Sequence, residues 1–322
     1  MPGLRKRTIA RAAAGGAMLA AKQIAARPPD PAVAARADAA AHAGPWRHGY
    51  ASVNGVKLHY AEMGSGPLVI LLHGFPECWY EWRHVMTHLA PYFHVVAPDM
   101  RGYNWSDKPS GVGEYKTATV AQDIVDLIEA LGESRAYIVG HDWGGAIAWY
   151  MGMHHGTHIN KLVVANAPHP AAFERELKRF RQLGRSWYVL FFQLPWLPEA
   201  SIRLALRSTL QGSAATPGAF TQDALDVYMN NISQPGVATA MINYYRATFR
   251  QGPAWFKTGE QSISMPTLLL WGMKDFALLP ELTEGLEEWI DDLRVVRIPD
   301  SGHWVPEEKP GVMSDNLIEF LS

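Results

Sequence analysis

The chain has 322 residues, of which 48% are hydrophobic and 19% charged, with a formal net charge of −2. This length suffices for one large α/β domain, or for a core carrying an insertion, and the charge gives nucleic acid no electrostatic footing as a partner. The single cysteine, Cys78, excludes an intrachain disulfide and a cysteine-built metal site.

Residues 1–48 differ from the rest. They hold eight basic side chains (Arg5, Lys6, Arg7, Arg11, Lys22, Arg27, Arg36, Arg47) against Asp30 and Asp38, and are rich in alanine. A basic start followed by Ala12–Ala21 faintly resembles an export signal, with Ala41-His42-Ala43 as a small-x-small cleavage site. Arg11 and Lys22 bracket that uncharged run, however. The segment reads better as a basic extension, partly helical or disordered, on a cytoplasmic protein. No stretch approaches the length of a membrane span.

From residue 49 a regular alternation begins. Tyr50–Val53 and Val56–Glu62 flank Asn54-Gly55, a two-residue hairpin signal. Short apolar runs follow at Leu68–Leu72, Val95–Ala97, Ala136–Val139, Leu162–Ala165, Leu268–Trp271 and Val295–Ile298. Such runs fit strands buried on both faces of a parallel sheet. Helical patterns lie between them, as in Thr117–Leu131 with Val120, Ile124, Leu127 and Leu131 on one face. The pattern predicts a mostly parallel sheet with helices on both faces. Between residues 171 and 262 the alternation stops, and the sequence turns helix-like and aromatic. This predicts a helical cap that splits a core of residues 49–170 and 263–322. His154, His155 and His158 crowd together without acidic or cysteine partners at ligand spacing, and read as surface residues; no metal is implied.

The run Ile138-Val139-Gly140-His141-Asp142-Trp143-Gly144-Gly145 carries the chemistry. An apolar strand ends in small-x-nucleophile-x-small and runs into a helix at Ala146–Met151, which is the context of a nucleophile elbow with Asp in place of Ser. Glycines at 140 and 144 let backbone segments approach closely. Taken alone, the run also fits an ordinary strand-helix turn with a capping aspartate. Three further features decide against that. His73-Gly74-Phe75-Pro76 follows the first parallel strand, where Phe75 can offer one backbone N–H and Trp143 the other of an oxyanion hole. Asp275 follows the strand Leu268–Trp271, and His303 sits in a loop before the last helix. Nucleophile, acid, histidine is the chain order of α/β-hydrolases.

Through these motifs residues 49–322 resemble the soluble epoxide hydrolase family of the α/β-hydrolase fold, relatives of the haloalkane dehalogenases. The similarity is carried by His73-Gly74-Phe75-Pro76-Glu77-Cys78-Trp79-Tyr80-Glu81-Trp82-Arg83, by Asp99-Met100-Arg101-Gly102-Tyr103 and by Ser106-Asp107-Lys108-Pro109. The resemblance implies a cis Phe75-Pro76 bond. It also implies two cap tyrosines that hydrogen-bond an epoxide oxygen. Trp187-Tyr188-Val189-Leu190-Phe191-Phe192 places the first at Tyr188, and Asn243-Tyr244-Tyr245-Arg246 places the second at Tyr245, with Tyr244 as its rival.

An aspartate nucleophile suits attack on alkyl carbon. Serine would leave an ether that activated water cannot cleave, whereas a carboxylate leaves an ester that water can attack. His303 would be the base for that water and Asp275 its orienting acid. The expected reaction converts a hydrophobic epoxide and water to a diol without a cofactor, in a pocket lined by Phe75, Trp143, Tyr188 and Tyr245. The alternative is a haloalkane dehalogenase using the same triad. Phe75 offers no side-chain halide donor, although Trp187, Trp196 and Trp255 are available, while Trp143 and Ala146 stand where fluoroacetate dehalogenases place arginines. A non-catalytic binding protein of this fold would have lost part of the machinery, and none is missing.

Overall fold

The structure is a computed structural model and describes residues 16–252, 254 and 261–322. Among these, eight strands form one sheet in the order β1-β2-β4-β3-β5-β6-β7-β8. The strands are β1 (Arg47–Val53), β2 (Val56–Met63), β3 (Leu68–Leu72), β4 (His94–Pro98), β5 (Ala136–His141), β6 (Ile159–Ala165), β7 (Thr267–Gly272) and β8 (Leu293–Ile298). β2 pairs antiparallel with β1 and β4, and every later pairing is parallel. The hairpin turns at Asn54 and Gly55, both at positive φ (41° and 76°), which matches the twist of the strands it joins.

Each apolar run of the sequence lies in a strand. β3 is buried at all five positions and β7 at all six, because helices cover both faces of the sheet centre. The outermost β8 is mostly half-buried, with Arg294 and Arg297 exposed, and reaches back to Leu293 and Arg294, beyond its apolar run, as a strand at the sheet edge allows. Helix Thr117–Ala130 turns Val120, Ile124, Leu127 and Ile128 inward.

Helices fill the interval between β6 and β7: Pro170–Leu177, Phe180–Arg185, Trp187–Phe191, Leu197–Ser213, Gln222–Ser233 and Val237–Gln251. The N-terminal extension is helical at residues 16–25 and 31–42. Asp30 caps the second of these by accepting from the Ala32 N–H at 2.8 Å, with Pro31 at its first position. Its small buried residues Ala37, Ala40 and Ala41 let it lie close against Gln222–Ser233, where Arg36 pairs with Asp226 at 2.5 Å. Ala41 is part of that packing, and its carbonyl accepts from Trp46 Nε1 at 2.6 Å. The start of the uncharged run, residues 12–15, and Trp255 lie outside the described residues.

One buried ion pair ties three parts of the chain together. Arg83, after the early loop, donates two hydrogen bonds to Glu307 at 2.6 and 2.8 Å, and Tyr228 of the Gln222–Ser233 helix donates to the same carboxylate at 2.5 Å. Arg83→Met leaves Glu307 buried without its cation and should cost roughly 3–5 kcal/mol. Adding Glu307→Leu should recover more than half of that loss in urea unfolding; additive losses would contradict the coupling.

Candidate active site

The site stands at the C-terminal ends of β3, β5, β6 and β7. After β5 the chain turns sharply at Asp142, whose backbone sits at φ 48° and ψ −116° before helix Trp143–His154 begins. This left-handed geometry is costly for a side-chain-bearing residue and points its carboxylate out of the turn. Close backbone packing holds the turn. A Cβ on Gly140 would lie 2.2 Å from the Gly144 carbonyl oxygen, and one on Gly144 would lie 2.1 Å from that of Leu72. Only glycine fits at either place.

Phe75 donates its backbone N–H to Asp142 Oδ1 at 2.9 Å. Trp143 opens the helix, where backbone N–H groups have no partner within the helix itself. The Phe75-Pro76 bond is cis. His303 stands between two carboxylates, with Nε2 3.4 Å from Asp142 Oδ2 and Nδ1 2.7 Å from Asp275 Oδ2. Burial works against a charge on the imidazole, but Asp275 and the bond to Asp142 outweigh it, and the pKa of His303 lies well above its ordinary value. Burial likewise opposes the Asp142 carboxylate, yet His303, with the Phe75 N–H adding to it, holds its pKa below the ordinary value. The resting pair is therefore carboxylate and imidazolium.

Asp275 is fixed from three sides. Its Oδ1 accepts from the backbone N–H groups of Ala277 (2.7 Å) and Leu278 (2.9 Å), and Oδ2 accepts from Asn166 Nδ2 at 2.7 Å. Asn166 follows β6 at φ 39° and accepts from the Gly272 N–H at 2.8 Å. It thus clamps the end of β7 and the acid that follows. Asn166 was missed in the sequence; an asparagine directly after a buried strand, a residue type tolerant of positive φ, was the available signal.

A second support lies within the elbow motif, at His141. His141 Nε2 lies 2.9 Å from the His303 carbonyl oxygen and must donate to it. Its Nδ1 then accepts, and it faces Glu81 Oε1 at 2.7 Å. Glu81 Oε2 accepts from the Gly74 N–H at 2.8 Å. Burial pushes the pKa of both Glu77 and Glu81 well above the usual range, and pushes that of His141 down. Glu81 and His141 thus sit side by side in the core, between the Gly74 N–H and the His303 carbonyl oxygen. Glu77, Glu81 and His141 are close enough to share a cation, although His141 Nε2 is committed to the His303 carbonyl oxygen.

Above Asp142 lies a cavity of about 650 Å³ whose wall is overwhelmingly apolar and includes Trp143, Phe173, Trp187, Tyr188, Tyr245 and Leu278. The Tyr245 ring meets Phe75, Trp143 and Tyr188 edge-on, at centroid distances of 5.2, 4.9 and 5.9 Å. Phe75 itself packs against the core beside them. Burial, reinforced by Asp142, raises the pKa of both tyrosines, so their hydroxyls keep their protons. Tyr244 is placed differently: it is fully buried and donates to the Arg101 carbonyl oxygen at 2.8 Å. His154, His155 and His158 are half-buried and far from this constellation in the fold, at the other end of helix Trp143–His154.

The chain matches a family described as alpha/beta hydrolase fold over residues 67–310. It is 37% identical over 279 residues to the AB hydrolase superfamily protein YfhM of Bacillus subtilis, covering 84% of this chain and 96% of the relative. It is 39% identical over 277 residues to epoxide hydrolase 3 of Mus musculus, covering 83% of this chain and 74% of the relative. Among solved structures, an epoxide hydrolase from Bacillus megaterium in complex with an inhibitor aligns with a TM-score of 0.77 at 32% identity, over 85% of this chain and 99% of that one.

The Asn166 contact yields a prediction. Asn166→Ala removes one hydrogen bond to a charged acid, an effect of about 1.5–3 kcal/mol. Turnover should fall roughly 10- to 100-fold with the fold intact by circular dichroism; unchanged turnover would show that Asp275 is oriented without it.

Proposed function

Because the chain belongs to the epoxide hydrolase family of α/β hydrolases, enzymes that act on ether bonds, we propose that it converts a hydrophobic epoxide to a vicinal diol through an ester on Asp142. The observation that carries this reading is that the Asp142 carboxylate and the hydroxyl-bearing residues Tyr188 and Tyr245 line one apolar cavity.

Asp142 attacks a ring carbon, and the C–O bond of the ring breaks. Tyr188 and Tyr245 hydrogen-bond the departing oxygen, which cannot leave as a bare alkoxide in an apolar site. The alkoxide gains a proton by way of these hydroxyls, and the imidazolium of His303 replaces it. The product of this step is a neutral ester and a neutral His303. Alkylation itself drives the second change, because it erases the Asp142 charge that helped hold the proton on His303. His303 then takes a proton from water while the hydroxide adds to the ester carbonyl carbon. The oxyanion would be held by the Phe75 and Trp143 N–H groups. Collapse releases the diol and restores the carboxylate and imidazolium. Asp275 and Asn166 keep the imidazole aligned in both steps. The chain's own residues supply the nucleophile and relay the protons, which water replenishes in the second step.

The low pKa of Asp142 keeps it anionic at pH 5, whereas His303 in the ester state must be neutral to work. Lowering the pH from about 8 to about 5 should slow ester hydrolysis more than alkylation, so covalent adduct accumulates in acid-quenched samples; a constant adduct level would contradict the division of roles. Tyr188→Phe and Tyr245→Phe should each slow opening of an aryl epoxide at least about tenfold. Release of halide from a chloroalkane, with no diol formed from the epoxide, would assign the site to dehalogenation instead.

A further inference from the structure

The cap exposes apolar side chains around the mouth of the cavity. Leu183, Trp187, Leu190 and Phe249 all line the cavity, yet they are 50%, 64%, 61% and 48% exposed. Side chains that do both stand at its opening. Leu183, Trp187, Leu190 and Leu194 follow one another at steps of four, three and four across two short helices and the turn after them, and Trp196 comes just beyond. Single exposed apolar residues are ordinary on protein surfaces, but a cluster with two tryptophans around an opening marks a surface that meets something.

Charge indicates what it meets. Residues 177–213 carry Lys178, Arg179, Arg181, Arg185, Arg203 and Arg207 against one acid, Glu199, and Glu199 is buried against Arg246. Residues 1–27 carry six basic side chains and no acid. The described part of the second segment, from residue 16 on, meets the first beside the apolar face. Arg203 donates to the Ala25 carbonyl oxygen at 2.8 Å and to that of Arg27, and the Lys22 ammonium lies 5.8 Å from the Trp196 ring centroid. Lys178 and Arg179 lean on Glu174 and Glu176, and Arg207 on Asp226. The donors of Arg203 instead go to carbonyl oxygens, which leaves its charge uncancelled.

We propose that this face of the cap docks on an anionic phospholipid surface, with Leu183, Trp187, Leu190, Leu194 and Trp196 entering the headgroup layer and Lys22, Arg27 and Arg203 meeting lipid phosphates. Leucine and tryptophan beside lysine and arginine are the composition of an interfacial contact. None of the helices searched among the described residues is long and apolar enough to cross a membrane, so the contact lies in the plane of the surface. A protein partner or a second copy seated here would seal the cavity. A bilayer does not, because an apolar solute dissolved in it reaches the opening without crossing water. The inference goes beyond the proposed reaction and stands without it, since binding is read with no turnover.

Full-length protein should co-sediment with phosphatidylcholine vesicles containing about 30% phosphatidylglycerol, and bind pure phosphatidylcholine at least about tenfold more weakly. Raising salt from about 0.1 to about 0.5 M should release it. Lys22→Glu/Arg27→Glu and, separately, Leu194→Ser should each lower the partition coefficient several-fold while turnover of a water-soluble epoxide stays unchanged. Equal binding to the two vesicle types by the unmodified protein would overturn the proposal whatever the variants do. A vesicle-free dimer in sedimentation velocity that Leu194→Ser dissociates would overturn it in favour of self-association.

Discussion

Two carboxylates share one buried imidazole at the end of this sheet, and much of the local structure exists to make that arrangement tolerable. Asp142 and Asp275 flank His303 at 3.4 and 2.7 Å, leaving one more negative charge than positive in a poorly solvated place. Such a group is expensive unless each oxygen has a partner. Asp275 obtains its partners from two backbone N–H groups and Asn166, and Asp142 from the Phe75 N–H. The strained turn at Asp142 brings its carboxylate to this meeting, while His141 donates to the His303 carbonyl oxygen and Glu81 accepts from Gly74 in the loop that carries Phe75.

The same imbalance gives the proposed chemistry its direction. A carboxylate held anionic is available as a nucleophile, and an imidazolium held by two anions keeps its proton until one of those anions is gone. Removing one anion by alkylation weakens the hold on that proton, so the histidine becomes a base at the step that needs one. The cavity above contributes by being apolar. Its apolar walls strengthen the hydrogen bonds that Tyr188 and Tyr245 would offer to a developing alkoxide.

Much of the sheet could be read in the sequence because strands buried on both faces leave unbroken apolar runs, as at Leu68–Leu72. The elbow could be read because close backbone approach demands glycine at 140 and 144. What could not be read depends on contacts between distant parts of the chain. Asn166 acts on Gly272 and Asp275, more than a hundred residues away. Tyr244 and Tyr245 are neighbours on one helix and point about 100° apart, so only packing sends one to Arg101 and the other to the cavity. The docking of helix Pro31–His42 rests on Arg36 meeting Asp226, a pairing for which local sequence holds no signal.

In the proposed reaction, the oxygen gained by the diol comes from Asp142. Single turnover in ¹⁸O-water, with enzyme in excess over epoxide, tests it most directly by mass spectrometry of the peptide containing Asp142 and of the diol. Hydrolysis at the ester carbonyl places the label in the Asp142 carboxylate and leaves the first diol unlabelled. A labelled diol from the first turnover, with an unlabelled Asp142, would mean that water attacks the epoxide itself and that no ester forms.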